Sequence, residues 1–156
     1  FNSHPYVMGA MQVFLESLSS ESIERMYSNL DERWNGHANN LNEKLISLDL
    51  PVRVANMSSI WTIYYTEPSR YNWMFQYYLK EQGLALSWIG TGRFIFSLNY
   101  SDADMMAVQE RFIRAAQCMK QDGWWWNEGG LSNKMIKRQI LREMIFGKKA
   151  QPKSIP

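Results

Sequence analysis

One cysteine, two histidines and no long apolar run set the first limits on this chain of 156 residues. With Cys118 as the only thiol, an internal disulfide and a cysteine-rich metal site are excluded, and the usage fits a reducing compartment. Cys118 lies inside a helical pattern with no Cys/His arrangement around it, so it reads as a small buried apolar residue. His4 and His37 do not form an HExxH motif or a His/carboxylate spacing suited to a metal, and there is neither a Walker loop nor a GxSxG elbow. GTGR at 90–93 is too short for a phosphate-binding fingerprint and reads as a hairpin turn. No stretch approaches the roughly 18 apolar residues of a membrane span, and no signal-peptide pattern stands at the start, so the expectation is a soluble, cytoplasmic protein without a membrane partner.

What is present is aromatic. Hydrophobic residues make up 46% of the chain and aromatics 14%, with seven Trp, enough for one domain with a single core and a surplus suited to burial against a neighbour. The net charge of +2 conceals an asymmetry: residues 1–130 carry 10 basic and 14 acidic side chains, and residues 131–156 carry 7 and 1. The last segment is a separate, basic electrostatic unit.

Periodicity divides the chain. Ser3 or His4 is placed to cap a helix with Pro5 in its first turn, and Val7, Met8, Met11, Phe14, Leu15 and Leu18 recur at helical spacing. From Ser20 a long helix is expected to run to Pro51, with Gly36 marking a close contact or a bend. VRVANM and SSIWTIYYT alternate as strands do, YNWMFQYYLKEQG reads as a helix closed by Gly83 at C′, and LALSWIG and RFIFSLNY read as a second strand pair. Ser101 caps a helix to Gln121 whose buried stripe is Met105, Val108, Phe112, Ala116 and Met119. The order predicts an α+β domain with a small, largely antiparallel sheet covered by helices and preceded by a long helix.

FNSHPYVMGAM resembles the segment G-T-x-x-x-[NH]-P of class III (fold type I) pyridoxal-phosphate aminotransferases. RVANMSSIWTIYYTEPSRYNWMFQYYLKEQGLALSWIGTGRFIFSLNYSDADMMAVQERFIRAAQCM resembles their C-terminal small domain, closest to glutamate-1-semialdehyde aminomutase and its aminotransferase relatives. The resemblance covers roughly residues 1–126. It implies a helical segment, 1–49, linking from a large cofactor-binding domain upstream, a small α+β domain over 50–126, and a basic tail over 127–156. It also implies that the Schiff-base lysine, the Asp on the pyridine nitrogen and the ring-stacking aromatic all lie upstream of Phe1. No catalytic residue is therefore expected within this chain, which would be inactive alone.

The cofactor implied is pyridoxal 5'-phosphate, with Asn2, Ser3 and His4 beside its phosphate at a helix N-terminus. Arg93, in RFIFSL, resembles the Arg of the R-F-A-P-P-L stretch, which implies recognition of a substrate carboxylate through its bidentate fork. Phe96 and Ser97 stand where that stretch has prolines. The partners implied are the large domain of the same chain, a second subunit in a homodimer, and a small-molecule or carrier-bound amino or keto substrate; nothing suggests nucleic acid. The alternative is a non-catalytic interaction module that uses DGWWWNEGG and the tail LSNKMIKRQILREMIFGKKAQPKSIP. Three adjacent Trp cannot share one face, so part of that cluster is expected to meet a domain or subunit surface unless it staples the domain's own core. The tail reads as an amphipathic helix with Met135, Ile136, Ile140, Leu141, Met144 and Ile145 opposite its basic residues.

Overall fold

The computed structural model describes residues 4–18, 20–86, 92–127 and 129–146. In chain order these form α1 (Pro5–Ser17), α2 (Ser20–Tyr27), α3 (Leu30–Ser47), β1 (Val52–Met57), β2 (Ile60–Tyr65), α4 (Phe75–Glu81) after a 3-10 turn at Asn72–Met74, β3 (Arg93–Ile95), α5 (Asp102–Gln121) and α6 (Asn133–Phe146). The fold is α+β, as expected, with a three-stranded antiparallel sheet in the order β1-β2-β3.

The expected long helix is two helices. Asn29 takes a left-handed conformation (φ 56) between α2 and α3, which asparagine tolerates better than most residues. The Ser28 hydroxyl, bonded to the Arg25 carbonyl at 3.0 Å, occupies an acceptor at the end of α2. Gly36 marks no close contact: nothing lies within 4 Å of where a Cβ would stand, and α3 continues through it.

β1 and β2 form a hairpin closed by Ser58 and Ser59, with Met57 opposite Ile60. Among the described residues the second expected strand pair is not seen. Residues 84–86 are not strand, residues 87–91, with the rest of LALSWIG and part of the GTG turn, lie outside the described residues, and RFIFSLNY contributes only three strand residues before turning at Ser97–Tyr100. β3 pairs instead with β2, Phe94 opposite Trp61.

Alternation sorts the sheet. Val52, Val54, Trp61, Ile63 and Phe94 are buried on one face, against Trp34, Ala38, Leu41 and Leu45 of α3, Phe75 and Leu79 of α4 and Met105, Phe112, Ala115, Ala116 and Met119 of α5. Stacked, tilted or edge-on rings run through this core, from Trp34 to Phe96, Phe94, Phe112, Phe75 and Trp125, with centroids 5.2–6.2 Å apart. Phe96 is a core residue, stacked on Trp34 and edge-on to Trp61. A proline there would forfeit both ring contacts and the bond from the Phe96 amide to the Ser59 carbonyl.

Ser101 caps α5 as its sequence predicts. Its hydroxyl oxygen accepts from the Asp104 amide, and the Asp104 carboxylate accepts from the Ser101 hydroxyl at 2.6 Å and from the Ser101 amide; those last two bonds hold the Asp104 carboxyl below its usual pKa.

Candidate functional site

The face of the sheet turned away from the helices carries Ala55 and Met57 of β1, Ile60, Thr62 and Tyr64 of β2, and Arg93 and Ile95 of β3, all exposed. Met57 is 72% and Ile95 67% exposed, an uncommon state for apolar strand residues whose neighbours pack a core. Arg93 lies at the start of β3 opposite Thr62. Its place follows from the period of two: Phe94 must enter the core between Trp61 and Phe112, so Arg93 and Ile95 turn outward together.

Of the three residues assigned to the cofactor phosphate, Asn2 and Ser3 lie outside the described residues. His4 is the N-cap of α1 through its backbone alone: its carbonyl accepts from the Met8 amide at 3.1 Å, its side chain makes no capping bond, and its ring stacks on Tyr6 at 5.4 Å. No residue of α1 is buried. His4 and Arg93 thus stand on separate elements, one on an exposed helix and the other on the sheet.

A second polar group joins α3 to α5. Asp102 accepts from Arg33 Nε at 3.1 Å and lies 3.1 Å from His37 Nε2, Arg33 also donates to the Tyr100 carbonyl, and the buried Gln109 amide donates to the His37 carbonyl at 3.3 Å. The bonds from His37 and then Arg33 hold the Asp102 carboxyl below its usual pKa. Among the described residues no nucleophile is bonded to the His37 ring, and the Asp102–His37 pair fastens α3 to α5. The sequence places His37 on a helix with local partners, but nothing in its spacing announces Asp102, 65 residues away.

A cleft of about 240 Å³ is lined in part by Asp49, Arg53, Glu67, Lys120 and Trp125. Its cations are already engaged. Lys120 donates to the Leu48 and Asp49 carbonyls at 2.9 Å each and so closes the C-terminus of α3, and Arg53 donates to the Leu50 and Val52 carbonyls. No group of His, Cys, Asp and Glu able to hold a metal occurs among the described residues.

The triple Trp divides. Trp124 and Trp125 pack on the domain's own core, Trp125 donating its indole N–H to the Ala116 carbonyl at 2.8 Å, while Trp126 stays 40% exposed beside Tyr71. Two of the three are therefore a staple, and one is left for another surface.

Comparison with known proteins adds no relative: no protein-family model and no curated protein matches this chain. The described lysines (Lys44, Lys80, Lys120, Lys134 and Lys137) are all exposed, and none of them stands in an enclosed apolar setting. Nor is any helix among the described residues long and apolar enough to cross a membrane.

Proposed function

We propose that this chain is the C-terminal portion of a class III pyridoxal-phosphate-dependent aminotransferase or aminomutase, with catalysis carried by a large domain upstream. The observation that carries this reading is Arg93, the residue that the sequence resemblance assigns to carboxylate recognition, exposed on the sheet face turned away from the helices, opposite Thr62 and two residues before the exposed Ile95. A guanidinium on such a face suits a carboxylate presented by a covering domain. Among the described residues no lysine is enclosed as a cofactor lysine would be, so the proposal requires one upstream, and no chemical step is assigned to these residues.

The test is the product of the complete reading frame, purified and given pyridoxal 5'-phosphate. The expected result is a visible absorption band that borohydride removes, with peptide mapping placing the pyridoxyl label on a lysine upstream of Phe1. Absence of both band and label would overturn the reading. The alternative, a binding module without cofactor chemistry, is favoured by one observation: the exposed cations of α6, which no carboxylate engages among the described residues.

A further inference from the structure

Composition marks α6 as a cationic helix that also carries large apolar side chains. Over residues 133–146 it sets Lys134, Lys137, Arg138 and Arg142 against one acid, Glu143, and residues 147–156 add Lys148, Lys149 and Lys153 and no acid. None of the four helix cations is paired with a carboxylate among the described residues.

The expected split of α6 into one apolar and one basic side does not hold. Steps of three and four put Ile136, Ile140 and Glu143 on one stripe, and the first and last of these face the body: Ile136 is buried, and Glu143 makes a bidentate pair with Arg70 at 2.8 and 3.1 Å. Lys134, Lys137, Arg138, Leu141, Arg142 and Ile145 form the stripe opposite, all exposed. The only acid of α6 is thus turned inward and its cations outward. The last turn differs again. Met144, Ile145 and Phe146 are consecutive, so they project about 100° apart round the helix axis, and they are 64–77% exposed. The end of α6 is apolar and bare in three directions.

We infer that α6 is a peripheral membrane contact, whose last turn enters the headgroup boundary of an anionic bilayer while its outward cations rest on the lipid headgroups. A folded protein surface covers one side of a helix and would leave part of the Met144–Phe146 turn in water. A nucleic acid offers phosphates to the cations but no apolar phase to Leu141, Met144, Ile145 and Phe146. A fluid interface surrounds a helix end and offers both. The flexible stems of Lys and Arg let the charged heads stay at headgroup level while neighbouring apolar side chains sink below them. The Arg70–Glu143 pair contributes by holding the one acid of the helix away from the negative surface. The expectation of no membrane partner rested on the lack of a spanning segment, and a surface helix needs none. This inference rests on α6 alone and stands on either reading of the function.

The test is sedimentation of the chain with vesicles of phosphatidylcholine alone and of phosphatidylcholine with about 30% phosphatidylserine. Each is measured at about 100 mM and about 500 mM salt, where screening differs. The expected result is binding to the phosphatidylserine vesicles only, weakened by high salt. Two variants separate the contributions, each first confirmed to be folded by circular dichroism. Reversing the charges in K134E/K137E/R138E/R142E is expected to lower the partition coefficient by about 100-fold or more. M144S/I145S/F146S, which keeps every charge, is expected to lower it by about 10-fold or more. No binding to phosphatidylserine vesicles at low salt would overturn the inference, and so would equal binding to both kinds of vesicle. Wild-type affinity in either variant would overturn it as well, since charge and apolar tip are both required. A chain that leaves the vesicles alone and binds polyglutamate or duplex DNA would put an acidic protein or a nucleic acid in the place of lipid.

Discussion

Arg93 is exposed because its neighbours leave it nowhere else to go: Phe94 and Phe96 are held in the core, Phe96 stacked between Trp34 and Phe94, and β3 pairs with β2. If the residue meets a substrate carboxylate in the complete enzyme, Arg93→Ala removes a charge-assisted pair worth about 1.5–3 kcal/mol, roughly a 10- to 100-fold effect. The expected outcome is a rise of that order in KM for carboxylate substrates and no change for amines that lack the group. Equal changes for both classes would remove Arg93 from recognition. The outward direction of Arg93 was legible in the alternation of RFIFSL. The reason for Phe96 was not, because it depends on Trp34, which the sequence separates by more than sixty residues. The same ring cluster exacts a cost that no pattern reveals: the indole N–H groups of Trp34 and Trp61 are buried without a hydrogen-bond partner among the described residues. The two rings meet edge to face, which is where aromatic packing is most favourable.

One device ends three of the helices. After α3, α4 and α5 the chain makes the same pair of backbone bonds, a reversal that returns an apolar residue to the last turn: the Leu50 amide to the Leu45 carbonyl, Leu84 to Leu79, and Trp124 to Met119. Each needs a left-handed residue at C′, supplied by Gly83 (φ 77) after α4, Gly123 (φ 75) after α5 and Asp49 (φ 51) after α3. A non-glycine residue there is strained by about 1–2 kcal/mol. Asp49→Gly is therefore expected to stabilise the chain by about 1 kcal/mol in urea unfolding, because the surface pair it loses with Lys120 contributes little. Gly83→Ala is expected to destabilise by about 1–2 kcal/mol, since an added Cβ keeps the strained backbone and meets Arg111 Nη1 at 2.9 Å. Opposite signs at equivalent positions are the check. Gly83 was readable as a helix stop because glycine announces the conformation. Asp49 and Asn29 were not, because in them the left-handed turn is imposed by the core pair Leu45–Leu50 and by the break before α3. That is why two helices read as one.

Across the whole molecule α6 is held more lightly than any helix of the core. Ile136 is its one buried side chain, and the Arg70–Glu143 pair, with Arg70 also over the Tyr71 ring at 5.9 Å, is its polar tie. The bond from Arg70 holds the Glu143 carboxyl below its usual pKa. A carboxyl whose folded pKa is depressed contributes stability that is fully present above its unfolded pKa and is lost as pH falls through the folded one. Acidification below the ordinary carboxylate range is thus expected to release α6, seen as faster amide exchange over 133–146. Asp102, lowered in the same way by His37 and Arg33, makes the α3–α5 tie acid-sensitive as well, but that tie is backed by the buried Met105 and Phe112 stripe of α5. Glu143→Gln separates the two. In that variant α6 is expected to exchange faster already at neutral pH and to lose its further response to acid, while protection in α3 and α5 keeps its wild-type dependence. If α6 in the variant still loosens with falling pH as the wild type does, the tie lies elsewhere than Arg70–Glu143. If it is released at neutral pH, the basic stripe becomes a mobile arm, and the orientation of its cations then depends on one carboxylate.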